Sequence, residues 1–164
     1  TSQMVKLKKQ NLKASEYASK SIDELFSKEV VEKSIVKKLN STETVIAFNE
    51  GNGVFKIKAL PNYVQFSCVC GIVCEDVNND GNIDLVMAGN NFEFKPQYSR
   101  LDANYGSVLL NNGKSEFKWQ SYNQSGFTIK NEVKQLKRFK DKNGKVYIIA
   151  AINNEKPKIF SIND

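Results

Sequence analysis

Asp76-Val77-Asn78-Asn79-Asp80-Gly81-Asn82-Ile83-Asp84 places oxygen-bearing side chains at its first, third, fifth and ninth positions. Three carboxylates, an amide oxygen and a backbone carbonyl on so short a loop suit a hard cation, because Ca²⁺ takes six to eight oxygen ligands at roughly 2.3–2.6 Å. Gly81 supplies the sharp turn such a wrap requires. Val69 to Cys74 before the loop and Leu85 to Ala88 after it are apolar and β-branched, which predicts a strand on each side. The stretch therefore predicts a β-hairpin whose loop holds calcium.

Two other readings of the loop can be weighed within the sequence. An EF-hand loop also begins D-x-N-x-D-G, but it needs a bidentate Glu at position twelve and a helix on each side. Position twelve is Met87, and the flanks read as strands. The same absence counts against a dockerin-like loop. A plain polar turn built from Asx residues is the remaining alternative. Three Asp within nine residues repel one another unless something positive sits among them, which favours the cation.

At 164 residues and 40% hydrophobic content, the chain has the length and composition of one ordinary domain with a sizeable core. No apolar run approaches the roughly 18 residues of a membrane-crossing helix, and Thr1-Ser2-Gln3 does not open a signal peptide, so any leader is expected elsewhere. The net charge of +6 comes from lysines scattered along the chain, apart from Lys6-Leu7-Lys8-Lys9 and the stretch Lys134 to Lys145. Scattered lysine reads as a solvated surface. Lys137-Arg138-Phe139-Lys140 is a thin version of a basic, aromatic nucleic-acid patch, but the alternation of lysine with Val133, Leu136 and Phe139 reads as a half-buried strand, and no nucleic-acid partner is expected.

Cys68, Cys70 and Cys74 fall in one strand-like segment, and an odd count leaves at least one unpaired within the chain. Cys68 and Cys70 share a strand face and stand side by side, so a disulfide between them is not expected. A tetrahedral zinc site lacks a fourth ligand, since the chain has no histidine. The cysteines are expected to be small buried hydrophobes in a central strand.

Residues 1 to 13 are polar and lysine-rich and read as the end of a strand or loop. From Ser15 to about Lys33, Ala18, Ile22, Leu25 and Phe26 recur at helical spacing, with a capping-box spacing at Ser21-Ile22-Asp23-Glu24. Two short helices are expected, broken at Ser27, with the apolar stripe packed into a core. After Asn40 the pattern is β throughout. Thr44 to Phe48 and Val54 to Ala59 are joined by Asn49-Glu50-Gly51-Asn52-Gly53, a hairpin connection whose glycines accept positive φ. Tyr63 to Glu75 leads into the acidic loop, Leu85 to Gly89 leaves it, and Gly106 to Leu110 and Glu116 to Ser121 follow around the turn Asn111-Asn112-Gly113. Three more strands are expected at Glu132 to Phe139, Lys145 to Ala151 and Lys156 to Ile162.

Those groups share a unit in which a strand ends near an Asn-Gly turn and a strand rich in Phe, Lys and Ile follows. It recurs at roughly the 40–50 residue spacing of propeller blades. The count amounts to half a blade, a full blade and a blade lacking its outer strand. The expected fold is thus mainly β: a partial β-propeller of about two to three four-stranded antiparallel blades. Residues 1–40 form a short helical insert and connection to an upstream part, and residues 41–164 form the C-terminal blades. Blades need neighbours to bury both faces, so upstream blades or a partner chain are expected to complete the ring.

The run from Asp76 to Gly89 resembles the D-x-N-x-D-G-x-x-D-L-hydrophobic-x-G signature of FG-GAP or VCBS repeats, the blades of integrin-α-like propellers. The stretch Asn90 to Gly106, then Val108 to Lys114 and Phe117, is similar to the last blades of bacterial surface proteins of the cartilage-acidic-protein type, which are associated with ASPIC/UnbV domains. Ser21 to Phe26 and Phe48 to Phe55 fit that family's helical insert and hairpin. The resemblance covers most of residues 15 to 162, although the chain shows no ASPIC/UnbV domain as such. It implies a secreted or cell-surface seven-bladed propeller, with outer-membrane association as one form of that location. It also implies Ca²⁺ in the hairpin loop, held by the side chains of Asp76, Asn78, Asp80 and Asp84 and by the backbone carbonyl of Asn82. The last blade carries only Asp141-Lys142-Asn143-Gly144-Lys145, which reads as a plain turn.

A calcium ion in such a loop would be structural, because the sequence offers no histidine and no second carboxylate cluster for acid–base work. Phe92 to Tyr105 is a long insertion carrying Phe92, Phe94, Tyr98, Arg100, Asp102 and Tyr105. Long loops are uncommon unless functional. Aromatic and arginine anchors of this kind present a glycan-binding or protein-binding surface. The competing reading has the rings folded back as a plug with Arg100 paired to Asp102. The expected function is a non-enzymatic, calcium-stabilised β-propeller module that mediates protein or glycan interaction within a surface complex. The alternative is part of a secreted polysaccharide-degrading enzyme with a calcium-bearing propeller, which would require a convergent acid and base near the propeller axis.

Overall fold

The structure, a computed structural model, describes residues 5–162 apart from the side chains of Lys6, Lys8 and Pro96. Its chain divides into two compact units, Thr1–Ser41 and Thr42–Asp164.

Among its described residues the first unit contains four short helices: α1 Val5–Gln10, α2 Ala14–Ala18, α3 Ile22–Leu25 and α4 Lys28–Glu32. The expected strand or loop at residues 1 to 13 is corrected over residues 5–10, which are helical, while residues 1–4 lie outside the described part. The break expected at Ser27 is present, since Ser27 precedes α4, but a second break at residues 19–21 divides the segment again. Its cause is the capping box: the Ser21 N–H donates to Glu24 Oε2 at 2.7 Å and starts a new helix there. With Ala18 and Ile22 in different helices, the apolar stripe cannot form one face. None of α2, α3 and α4 contains a buried residue, so the expectation of core packing is corrected.

The second unit is β-rich and antiparallel. β1 Val45–Gly51 and β2 Val54–Ala59 form a hairpin. Gly51, Asn52 and Gly53 all adopt positive φ in its turn, as the glycine-rich connection requires. β3 Val69–Glu75, β4 Asp84–Gly89, β5 Ser107–Asn111 and β6 Phe117–Gln120 form a four-stranded meander in sequence order. β7 Val133–Lys140, β8 Val146–Ile152 and β9 Lys158–Ser161 form a three-stranded meander.

Two differences from expectation lie between these strands. Tyr63 to Glu75 is not one strand, because Asn62–Val64 is a 3₁₀ turn started by Pro61, and Gln65 Nε2 donates to the carbonyls of Leu60 (2.9 Å) and Thr44 (3.0 Å). A helical turn, α5 Tyr122–Ser125, also separates β6 from β7. Its signal was present as Ser121-x-x-Gln124 followed by Gly126, which takes φ +65°.

β4 organises the unit. All six of its residues are buried, and alternate side chains enter different cores. Val86 and Ala88 pack with Val73, Val108, Leu136, Ile148 and Ala150, between the four-stranded and three-stranded sheets. Leu85 and Met87 pack with Leu60, Val64 and Leu109, against which Ile46 of β1 and Trp119 of β6 also lie. A strand buried on both faces reads as a continuous apolar run, as Leu85 to Ala88 does.

The cysteines are a correction. β3 is an edge strand, with β4 as its neighbour, and only its Gly71 and Val73 face is buried. Cys70 and Cys74 are exposed, Cys68 is half-buried before the strand begins, and all three are free thiols. The basic stretch on β7 is engaged locally: Arg138 pairs with Glu75 and Phe139 stacks on Tyr147 with ring centroids 5.3 Å apart.

Candidate metal centre

The loop between β3 and β4 turns through positive φ at Asn79 (+59°) and Gly81 (+85°). Those angles let successive N–H groups point inward, and the acidic side chains meet them. Asp76 accepts from the Asp80 N–H at 3.1 Å and from the Gly81 N–H at 2.8 Å. Asn78 Oδ1 accepts from the same Asp80 N–H at 3.2 Å, while its Nδ2 donates to Asp80 Oδ2 at 2.9 Å. Asp80 Oδ1 accepts from the Asn82 N–H at 2.8 Å and from Asn82 Nδ2 at 2.9 Å. The backbone bond from Asn82, then the Asn78 amide, hold the Asp80 carboxyl below the usual carboxylate range.

Asp84 stands apart from the others. Its side chain is fully buried at the start of β4, where it accepts from the Val77 N–H at 3.0 Å and from the Asn111 N–H at 2.8 Å. It therefore ties the loop's entrance to the end of β5, and Asn111 reciprocates by donating from Nδ2 to the Ile83 carbonyl at 3.1 Å. None of the ion pairs among the described residues involves Asp76, Asp80 or Asp84.

Among the described residues, no three Cys, Asp or Glu side chains come together as a group that could hold a metal ion. The loop closes on hydrogen bonds to its own N–H groups. Its donor chemistry nevertheless fits a hard cation. Oxygens of Asp76 and Asn78 gather about one nitrogen, Asp80 lies beside them, and no cationic side chain among the described residues forms an ion pair with Asp76, Asp80 or Asp84.

The second predicted site is the loop from Phe92 to Tyr105. Its base is closed by an Asn91–Leu101 bridge with both N–H···O distances at 2.9 Å, and a 3₁₀ turn at Pro96–Tyr98 forms its tip. The structure brings three of the predicted residues together: Arg100 Nε donates to Asp102 Oδ2 at 2.9 Å, and its guanidinium lies 4.6 Å from the centre of the Phe92 ring. Phe94 and Tyr98 are exposed, Tyr98 at 71%. Tyr105, at the far end, packs near Tyr122 and beneath Lys130. The Arg100–Asp102 pairing of the plug reading is present, while the Phe94 and Tyr98 rings are solvent-exposed.

Sequence reasoning missed the group that fixes this loop. Asn90, buried with φ +84°, donates to the Asn104 carbonyl at 2.7 Å and accepts from the Asn104 N–H at 2.9 Å, closing both ends of the loop at once. Buried Glu132 accepts from Lys134 Nζ and from Asn153 Nδ2, both at 2.8 Å. Lys134 first, then Asn153 and the Phe92 N–H, hold the Glu132 carboxyl below its ordinary range. The clue available was Asn90 after a continuous apolar run, a residue type that tolerates positive φ. Compared with protein-family models, with curated proteins and with solved structures, the chain has no match.

Proposed function

We propose that this protein is a non-enzymatic, calcium-stabilised β module, and that its four-stranded and three-stranded sheets are blades of a β-propeller of the FG-GAP or VCBS kind. Asp84 carries the reading. A carboxylate that is fully buried without a cationic partner is costly, and two backbone N–H bonds offset only part of that cost. A dication between it and the rest of the loop offsets the remainder. Asp76, Asn78, Asp80, Asp84 and the Asn82 carbonyl would hold the ion, which supplies charge balance and local order rather than chemistry.

The order of the strands supports the same proposal. Meanders of two, four and three strands, in chain order, correspond to the half blade, full blade and partial blade anticipated from the repeat pattern. The exposed Phe94 and Tyr98, on a loop whose base is fixed by Asn90, supply the interaction surface for a protein or glycan. A secreted or surface location agrees with a weak site, since extracellular modules work with dissociation constants of about 10⁻⁴–10⁻³ M.

The test is thermal unfolding in chelator and in calcium. With such affinities, 10 mM Ca²⁺ stabilises by about 1.4–2.7 kcal/mol. That corresponds to a rise of roughly 3–10 °C in melting temperature for a chain of this size. The rise is expected to vanish in D80A, and equal magnesium is expected to do little because Mg²⁺ demands a tighter octahedral site. Melting that is the same in chelator and calcium would remove the metal from the proposal.

A further inference from the structure

We propose that the free edge of β9 is a docking site for an extended, uncharged peptide segment of a partner polypeptide, which pairs with β9 and places alternate apolar side chains in the neighbouring cavity. The inference extends the proposed function by naming the kind of partner that adds to the sheet, but it does not depend on calcium.

The backbone register fixes which groups are available. The Ile162 N–H donates to the Val146 carbonyl at 3.1 Å, and Ile148 faces Phe160 while Ile149 faces Ile159. Antiparallel pairs alternate between those that exchange hydrogen bonds and those that do not. Phe160 and Ile162 therefore spend their backbone groups on β8, whereas the N–H and C=O of Ile159 and Ser161 point to the open edge. The far side of β8 agrees. The Asp141 N–H donates to the Lys145 carbonyl at 3.0 Å, which places Tyr147 and Ile149 in the bonded pairs with β7.

A cavity of about 580 Å³ runs beside that edge, bounded by Ile159–Ile162 on one side and by β5 and α5 on the other. Its size lies within the ~300–1,000 Å³ range of pockets that bury a ligand. Apolar Val108, Leu110 and Phe127 and neutral polar Gln120, Gln124 and Asn78 are among the residues that line it. Although 26% of the chain is charged, no lining residue is Asp, Glu, Lys or Arg. A charged occupant would lose its hydration against neutral walls, and a small apolar molecule would leave the Ile159 and Ser161 groups unused. A strand satisfies both, with main-chain bonds along the edge and side chains alternating into the pocket.

The probe is a seven-residue synthetic peptide, amidated and acetylated, alternating threonine with valine, leucine and phenylalanine. Binding is measured by isotope-edited NMR of the full chain in calcium and in chelator. Amide shifts at Ile159 and Ser161 are expected, together with a dissociation constant in the micromolar to millimolar range. I159P removes an outward N–H and no bond to β8, so it is expected to weaken binding at least tenfold while the sheet stays folded. A peptide N-methylated on the residues facing β9 is expected not to bind, while one methylated on the opposite edge still binds, which tests the pairing without altering the protein. No shift at the highest soluble peptide concentration, or equal binding of both methylated peptides, overturns the proposal. Dimers of the protein alone that I159P dissolves would assign the edge to a second copy and overturn it equally. Binding that persists in chelator supports the edge even where the melting test removes calcium.

Discussion

Among the described residues, Asp84 and Glu132 are the two buried carboxylates, and each is held by a different means. Asp84 is bonded to the N–H groups of Val77 and Asn111, so D84A strands two partly buried donors where the loop's entrance meets the end of β5. The expected loss, with calcium removed, is about 2–4 kcal/mol, read by urea unfolding. D76A, at a more exposed position, is expected to cost less than half as much. Glu132 responds to acid. Its folded pKa lies below its unfolded value of about 4.3, so its contribution is complete above that pH and is lost as pH falls through the folded value. E132Q is expected to flatten the acid side of the stability curve, where pH falls through the lowered folded value, as measured by urea midpoints. An unchanged slope would show that Lys134 and Asn153 do not couple to the charge. The loop motif announced Asp84 as an oxygen donor, whereas the burial of Glu132 is not marked locally, because apart from the neighbouring Lys134 its partners Asn153 and Phe92 lie on other segments.

Among the elements, β4 was the most legible and β3 the least. Leu85 to Ala88 reads as a buried run because both its faces are covered, while Val69 to Cys74 has the same apolar character on an edge strand. Composition cannot distinguish a central strand from an edge, since the neighbour that covers one face is remote in sequence. Cys70 and Cys74 are therefore expected to react readily with a thiol reagent in the folded protein, Cys74 faster, because burial followed by the nearby Cys68 pushes the Cys70 thiol up. Labelling that requires denaturant would contradict the edge position. The junction of the same two strands is tighter than its composition suggests. A Cβ on Gly89 would overlap the Cys68 carbonyl oxygen, where the backbone of β3 approaches that of β4. G89A is expected to open the first pairs of this ladder, Val69 with Gly89 and Gly71 with Ala88, seen as faster amide exchange there. The helical segment was legible only in part. Its capping spacing at Ser21 was visible, but helices of four to six residues have too few internal bonds to impose one face.

At the scale of the whole β unit, β4 makes two cores into one cooperative structure. Val86 and Met87 are adjacent in sequence, 2% and 1% exposed, and belong to different cores. If the cores were independent, V86A and M87A would each weaken one side and split the transition. Because both side chains leave the same backbone, losing either core frees the strand that borders the other. Each substitution is thus expected to lower a single shared transition, by about 1–3 kcal/mol for V86A and about 2–5 kcal/mol for M87A. Trp119 fluorescence reports the Met87 side and far-UV circular dichroism the sheets as a whole, so their midpoints should coincide in both variants. Midpoints that separate in M87A would mean that the three-stranded sheet and its core persist without the other, a unit stable by itself rather than one that needs its neighbours.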